Sequence, residues 1–152
     1  MTDATHADRI DVDDLLLLVV GAHLRAEIAD RPVAERLRSQ ILAWIAATDC
    51  EFPLQPIVCT DMWYLNDADL LARPSIIIGE PSVNAAAAYF ANRLPTAFVV
   101  DEQFEVQLDV EFIDLHACLW GVGHEATQAS VEAFSLRYLE AFLRAAHGLA
   151  AV

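Results

Sequence analysis

The hydrophobic positions of this chain fall into blocks of two kinds. Leu15–Gly21, LLLLVVG, is a continuous apolar run closed by a glycine. It is too short for a stable helix, and its lack of alternation predicts a strand buried on both faces. The next block, RPVAERLRSQILAWIAA, has helical period instead. Val33, Leu37, Ile41 and Ile45 recur at four-residue spacing, and Pro32 suits a first helical turn. Gln55–Leu65 reads as a second strand, entered from the proline-bearing loop EFPLQP. Asn66 is then expected to cap a short helical turn through Leu71. Ser75–Ile78 is the third strand. After the loop GEPSVN, a helix is predicted from Val83 to Leu94 with Ser82 as its N-cap and Val83, Ala87, Phe90 and Leu94 on one face.

The second half of the chain changes pattern. Thr96–Asp101 is a fourth strand. Phe104–Phe112 alternates apolar and polar residues, as an edge or antiparallel strand with one wet face does. Leu115–Gly121 is strand-like again. A long final helix is predicted from Glu125 to His147. Val131, Phe134, Tyr138 and Phe142 form its stripe, Leu136, Leu139 and Leu143 widen it, and Gly148 ends it. Strand, helix, strand, helix, strand is the rhythm of a parallel sheet covered on both faces. The expectation is a three-layer α/β domain over residues 10–152, with a mostly parallel sheet of about five strands. Residues 1–9 are expected to be a disordered polar lead.

Composition narrows the function classes. Of 152 residues 56% are hydrophobic, and the formal net charge is −14. An acidic surface repels phosphate backbones and anionic lipid, so neither nucleic acid nor membrane is expected as a partner. No apolar run reaches the roughly 18–20 residues that cross a bilayer, and the acidic N-terminus does not resemble a signal peptide. A cytoplasmic location follows as an expectation. The three cysteines, Cys50, Cys59 and Cys118, have no CxxC spacing and read as free thiols. His116, Cys118 and His124 lack an evident fourth zinc ligand, so no metal is expected. Nothing in the chain names a cofactor.

In open α/β sheets ligands gather beyond the carboxyl ends of the strands. The loops there carry Arg25, Asp61, Trp63, Tyr64, Glu80, Ser82, Asn84 and His124. Gly79 lets the third strand turn, and the amides around Ser82–Asn84 would form an anion pocket at a helix start. Glu80 in the same loop favours a sugar hydroxyl or a cationic group. Trp63 or Tyr64 would supply a stacking face. An enzyme would use Glu80 or Asp61 as acid or base, with His124 assisting. Ser82, His124 and Asp101 could form a hydrolase triad, but no G-x-S-x-G elbow is present. Neither GxGxxG nor GxxxxGK[ST] occurs.

The segment DADLLARPSIIIGEPSVNAAAAYFANRLPTAFVV, within a stretch covering Leu15–Val100, resembles the small Rossmann-like nucleoside deoxyribosyltransferases and related nucleotide-sensing domains. The resemblance implies a flavodoxin-like fold with a nucleotide or sugar-like ligand in the crevice. The transferases carry a nucleophilic glutamate in the helix after the glycine loop; here the matching stretch Asn84–Ala88 holds no acid, and Glu80 lies earlier. A similar Gly-x-Pro-x-x-Asn loop occurs in surface-layer-type domains.

Two functions therefore stand side by side. One is binding of a small polar, nucleotide-like or sugar-like ligand. The other is non-enzymatic self-association. The apolar surplus favours a homodimer, through the alanine-rich helix, the Phe104–Phe112 strand or the Trp63–Tyr64 pair.

Overall fold

A computed structural model describes residues 11–151; the polar lead expected over 1–9 lies outside the described residues. Six strands form one sheet: β1 Leu15–Val20, β2 Gln55–Thr60, β3 Ser75–Ile78, β4 Thr96–Val100, β5 Phe104–Leu108 and β6 His116–Gly121. Their spatial order is β2-β1-β3-β6-β5-β4. The first four in that order run parallel, with Val20 beside Thr60 and Ile78 beside Leu119. β5 is antiparallel to both β6 and β4. The sheet is thus mixed and has six strands, where a pattern of about five was expected. The extra strand arises because β4 and β5 form a hairpin on the far side of β6.

The apolar run of β1 is buried on both faces. Leu16, Leu18 and Val20 enter one core with Val33, Leu37 and Ile41 of α1 (Arg31–Ala47) and Val131, Phe134, Phe142 and Leu143. Leu15, Leu17 and Val19 enter the other, with Tyr64 of α2 (Asp61–Leu65), Leu70 of α3 (Ala68–Leu71), and Ala86, Ala87 and Phe90 of α4 (Ala85–Phe90). Period-two exposure of a strand to two apolar layers is what a three-layer domain requires.

Several boundaries move. The second strand stops at Thr60, and Asp61–Leu65 turns into helix. Asp67, not Asn66, caps the following turn. α4 begins at Ala85 with Asn84 as its cap, not at Val83 with Ser82. The alternating strand ends at Leu108, because the Asp109 carboxylate gathers the amides of Glu111, Ile113 and Asp114 into a turn. Its expected wet face is covered. Gln107 is buried, donates to Ala91 and Leu94 carbonyls, and accepts from the Trp120 indole.

The long C-terminal helix is also corrected. It is two helices, α5 His124–Arg137 and α6 Leu139–Ala146, broken at Tyr138 with φ −130° and ψ −19°. The Tyr138 hydroxyl donates to the Ala97 carbonyl of β4. Leu136, counted in the apolar stripe, is 88% exposed, while Leu139, Phe142 and Leu143 are buried. Among the described residues no helix is long and apolar enough to cross a membrane.

Candidate functional site

β1 lies between β2 and β3, so the chain leaves β1 in one direction and returns on its other side. α1 packs with one core and α2–α4 with the other, which opens a crevice at the carboxyl ends of β1 and β3. The two strands are tied together at this point by Asn84. Its amide nitrogen donates to the Val19 and Ile78 carbonyls, at 3.1 and 2.9 Å. Its oxygen accepts from the amides of Ala86 and Ala87. Asp61, also buried, accepts from Ala22, Met62 and Ala85 amides at 2.9, 2.7 and 2.6 Å.

These bonds close the anion pocket that the loop Gly79–Asn84 suggested. The amides of Val83 and Asn84 donate to the Glu80 carbonyl, and those of Ala85, Ala86 and Ala87 to Asp61 and Asn84. Every amide at the start of α4 has an internal acceptor, so a phosphate would meet none free. The loop does need its glycines. A methyl on Gly21 would fall 1.8 Å from the Val83 carbonyl oxygen. Gly79 has φ +126°, and a methyl there would lie 2.8 Å from Asp30 Oδ2.

That contact leads to the open part of the crevice. Arg25, Ala29, Asp30, Glu80, Val83, Gly123, His124 and Thr127 line a cavity of about 50 Å³. Glu80 is held on three sides. Oε1 accepts from Ser82 Oγ at 2.9 Å and from the Arg25 guanidinium at 3.4 Å, and Oε2 accepts from the Gly123 amide. Thr127 is committed to the Gly121 backbone at the end of β6. His124 opens α5 and is exposed.

Asp30 differs from all of these. It is 5% exposed, yet among the described residues no donor reaches its carboxylate. It ends a π-helical turn, Ala26–Asp30, and stands at the start of α1 without capping it. π-Turns interrupt regular hydrogen bonding and recur at functional positions. Burial pushes the Asp30 carboxyl up to about 6. His124 counteracts this, Glu80 adds to it, and Arg25 opposes it. A carboxyl that changes charge near neutrality, inside a cleft, is a group suited to proton exchange or to gripping hydroxyls.

The sequence-derived set therefore divides. Arg25, Glu80 and His124 meet at the cavity, and Ser82 braces Glu80. Asp61 and Asn84 hold the crevice from behind. Tyr64 is fully buried and donates to Ser75 Oγ; burial pushes its hydroxyl well up. Trp63 is 64% exposed and lies outside the cavity lining. Asp30 is not among the residues expected from the sequence; Arg25 pairs with Glu80, and Glu27 pairs with Arg31. Among the described residues no three of His, Cys, Asp and Glu converge to hold a metal ion.

Comparison with known proteins returned no matching family model, no matching curated protein and no matching solved structure.

Proposed function

We propose that the chain is a binding module for a small polar ligand, sugar-like or nucleotide-like, seated at the carboxyl ends of β1, β3 and β6. Asp30 carries this reading. Its carboxyl has no donor from the chain among the described residues, and its oxygens open onto the cavity instead of being sealed in the core, so a ligand's hydroxyl or N–H can reach them. Arg25 and His124 supply further hydrogen-bonding groups at the mouth, and Glu80 fixes Arg25 and the Gly123 loop. A cytoplasmic, reducing setting belongs to the same reading, and the three free cysteines support it. Thermal unfolding in the presence of sugars, nucleosides and nucleotides tests it. A true ligand at a hundredfold excess over its Kd adds about 2.7 kcal/mol of stability. A flat response to all of these classes would remove the reading.

Self-association is the second reading. Leu24, Ile28, Met62 and Trp63 are each at least 59% exposed, on the helical segments that follow the adjacent strands β1 and β2. This group, not the alanine face of α4, suits a homodimer, because Ala86 and Ala87 are buried within the chain.

A further inference from the structure

The chemistry of the Asp30 cavity narrows the ligand class, resting on the binding reading above. The groups facing the cavity are two carboxyls, one guanidinium and one imidazole, from three segments: Arg25 and Asp30 between β1 and α1, Glu80 after β3 and His124 at the start of α5. They are unequal in what they can still bind. Glu80 already has three donors, one of them the Arg25 guanidinium. Asp30 has none among the described residues, and its oxygens open onto the cavity. Arg25 and the His124 ring are exposed at the mouth.

Each ligand charge can be weighed against that arrangement. An anion would have to sit between the carboxyls of Asp30 and Glu80, in a protein of net charge −14. The amides at the start of α4, which could have offset this, are closed by Asp61 and Asn84. An inorganic cation lacks a converging ligand set among the described residues. An organic ammonium would lie beside Arg25 and His124, and Glu80 is already neutralised. A neutral group that both donates and accepts meets none of these penalties. Hydroxyls do both: they donate to Asp30 and accept from Arg25 and His124.

Size points the same way. A volume of about 50 Å³ holds the equivalent of roughly three or four waters. That is room for adjacent hydroxyls on a short carbon chain. Beyond it, a broader hollow of about 630 Å³ shares Gly123 and His124 and is lined by Phe104 and the acids Glu102 and Glu125, so the rest of a ligand extends outward past two further carboxylates, which a phosphate would meet.

We infer that the cavity recognises the vicinal hydroxyls of an uncharged polyol or sugar, gripped by the Asp30 carboxyl, and discriminates against its phosphorylated form. Backbone-amide NMR titration of the intact chain with D-ribose, erythritol, ribose 5-phosphate and inorganic phosphate tests this. Shifts on polyol addition are expected at Asp30, Glu80, Gly123 and His124. Ribose 5-phosphate should bind about tenfold more weakly than ribose or worse, the size of one charge-assisted hydrogen bond turned repulsive. Asp30→Ala should weaken the polyols about tenfold, while Asp30→Asn, which keeps one acceptor and gains donors, should narrow the gap between ribose and its phosphate. Equal or tighter binding of ribose 5-phosphate at these residues would overturn the inference and leave the binding reading standing. Polyol binding that survives Asp30→Ala unchanged would also overturn it. Silence at these residues with every probe would sink the binding reading itself.

Discussion

Asp30 stands where a helix start ordinarily takes a capping acid, and it does not cap. Its carboxyl turns to a cavity instead, and burial lifts it from 3.8 to about 6. A folded-state value above the unfolded one means that the folded chain holds the proton more tightly. The Asp30 contribution to stability is therefore fully present below about pH 3.8 and is lost as pH rises through about 6. At 1.36 kcal/mol per pKa unit, and with the solvent that reaches the carboxyl screening part of the effect, the loss is on the order of 1–2 kcal/mol. Asp30→Asn is expected to raise stability at pH 7 by about 1–2 kcal/mol, with the gain shrinking toward pH 4. Urea midpoints measured across that range check it; a destabilised variant at pH 7 would mean that the carboxylate has a partner holding it. The cysteines give a second test at this scale. Burial pushes the Cys59 thiol up to about 11 and the Cys118 thiol up to about 12, whereas Cys50 is half-buried. Thiolate is the reactive form, so iodoacetamide at pH 8 should label Cys50 alone in the folded protein and all three after denaturation. Mass spectrometry of the adducts reads the outcome, and rapid native labelling of Cys118 would contradict the burial.

At the scale of elements, the loop after β3 docks against the end of β1 more closely than any side chain would allow. Gly21→Ala puts a methyl 1.8 Å from the Val83 carbonyl oxygen, a backbone atom that cannot rotate away. The expected cost is about 3 kcal/mol, at the upper end of overpacking. Gly148→Ala is the control. Unlike Gly21 it sits at positive φ, +68°, but a methyl there meets nothing within 4 Å. Its cost should stay near 1 kcal/mol. Comparable losses for the two variants in chemical denaturation would show that the loop, and with it Glu80, can shift away from β1. In the GEPSVN loop, where the sequence suggests an anion pocket, the amides at the helix start are bonded to Asp61, Asn84 and the Glu80 carbonyl. Its glycine reads from the sequence as a turn residue and Ser82 as the cap, whereas the structure gives the cap to Asn84. That Asp61, 24 residues upstream of Ala85, fills the helix start cannot be read there, because no local pattern links the two.

For the whole molecule, six strands and two cores leave a rim of exposed apolar residues beside β1 and β2, on an otherwise acidic surface. The proposed homodimer would use this rim. Light scattering should then give twice the 16.7 kDa chain mass, and Trp63→Glu should shift it toward monomer. A dimer unaffected by Trp63→Glu would place the contact elsewhere, and a monomer mass at all salt concentrations would end the self-association reading. Trp63 lies outside the Asp30 cavity, so Trp63→Glu tests self-association without altering the cavity lining, whereas Leu24 and Ile28 adjoin it in the chain.

Local pattern was enough for what depends on local burial. The run Leu15–Val20 had to be a doubly buried strand, and the stripe Val33–Leu37–Ile41 had to be a helix facing a core, because side-chain period follows backbone geometry. The same logic pointed to the carboxyl ends of the strands, and to Arg25, Glu80 and His124 there. It overran at Tyr138, where a helical stripe continues in sequence while the backbone leaves helical geometry. It could not see the sheet order either, since a β4–β5 hairpin and two crossovers are compatible with several arrangements of the same elements. That order alone brings residues 30, 80 and 124 to one cavity. Asp30 has no meaning as a site residue until Gly79 is folded against it. Burial and the absence of a donor are properties of the surrounding space, not of the residues next to it in the chain.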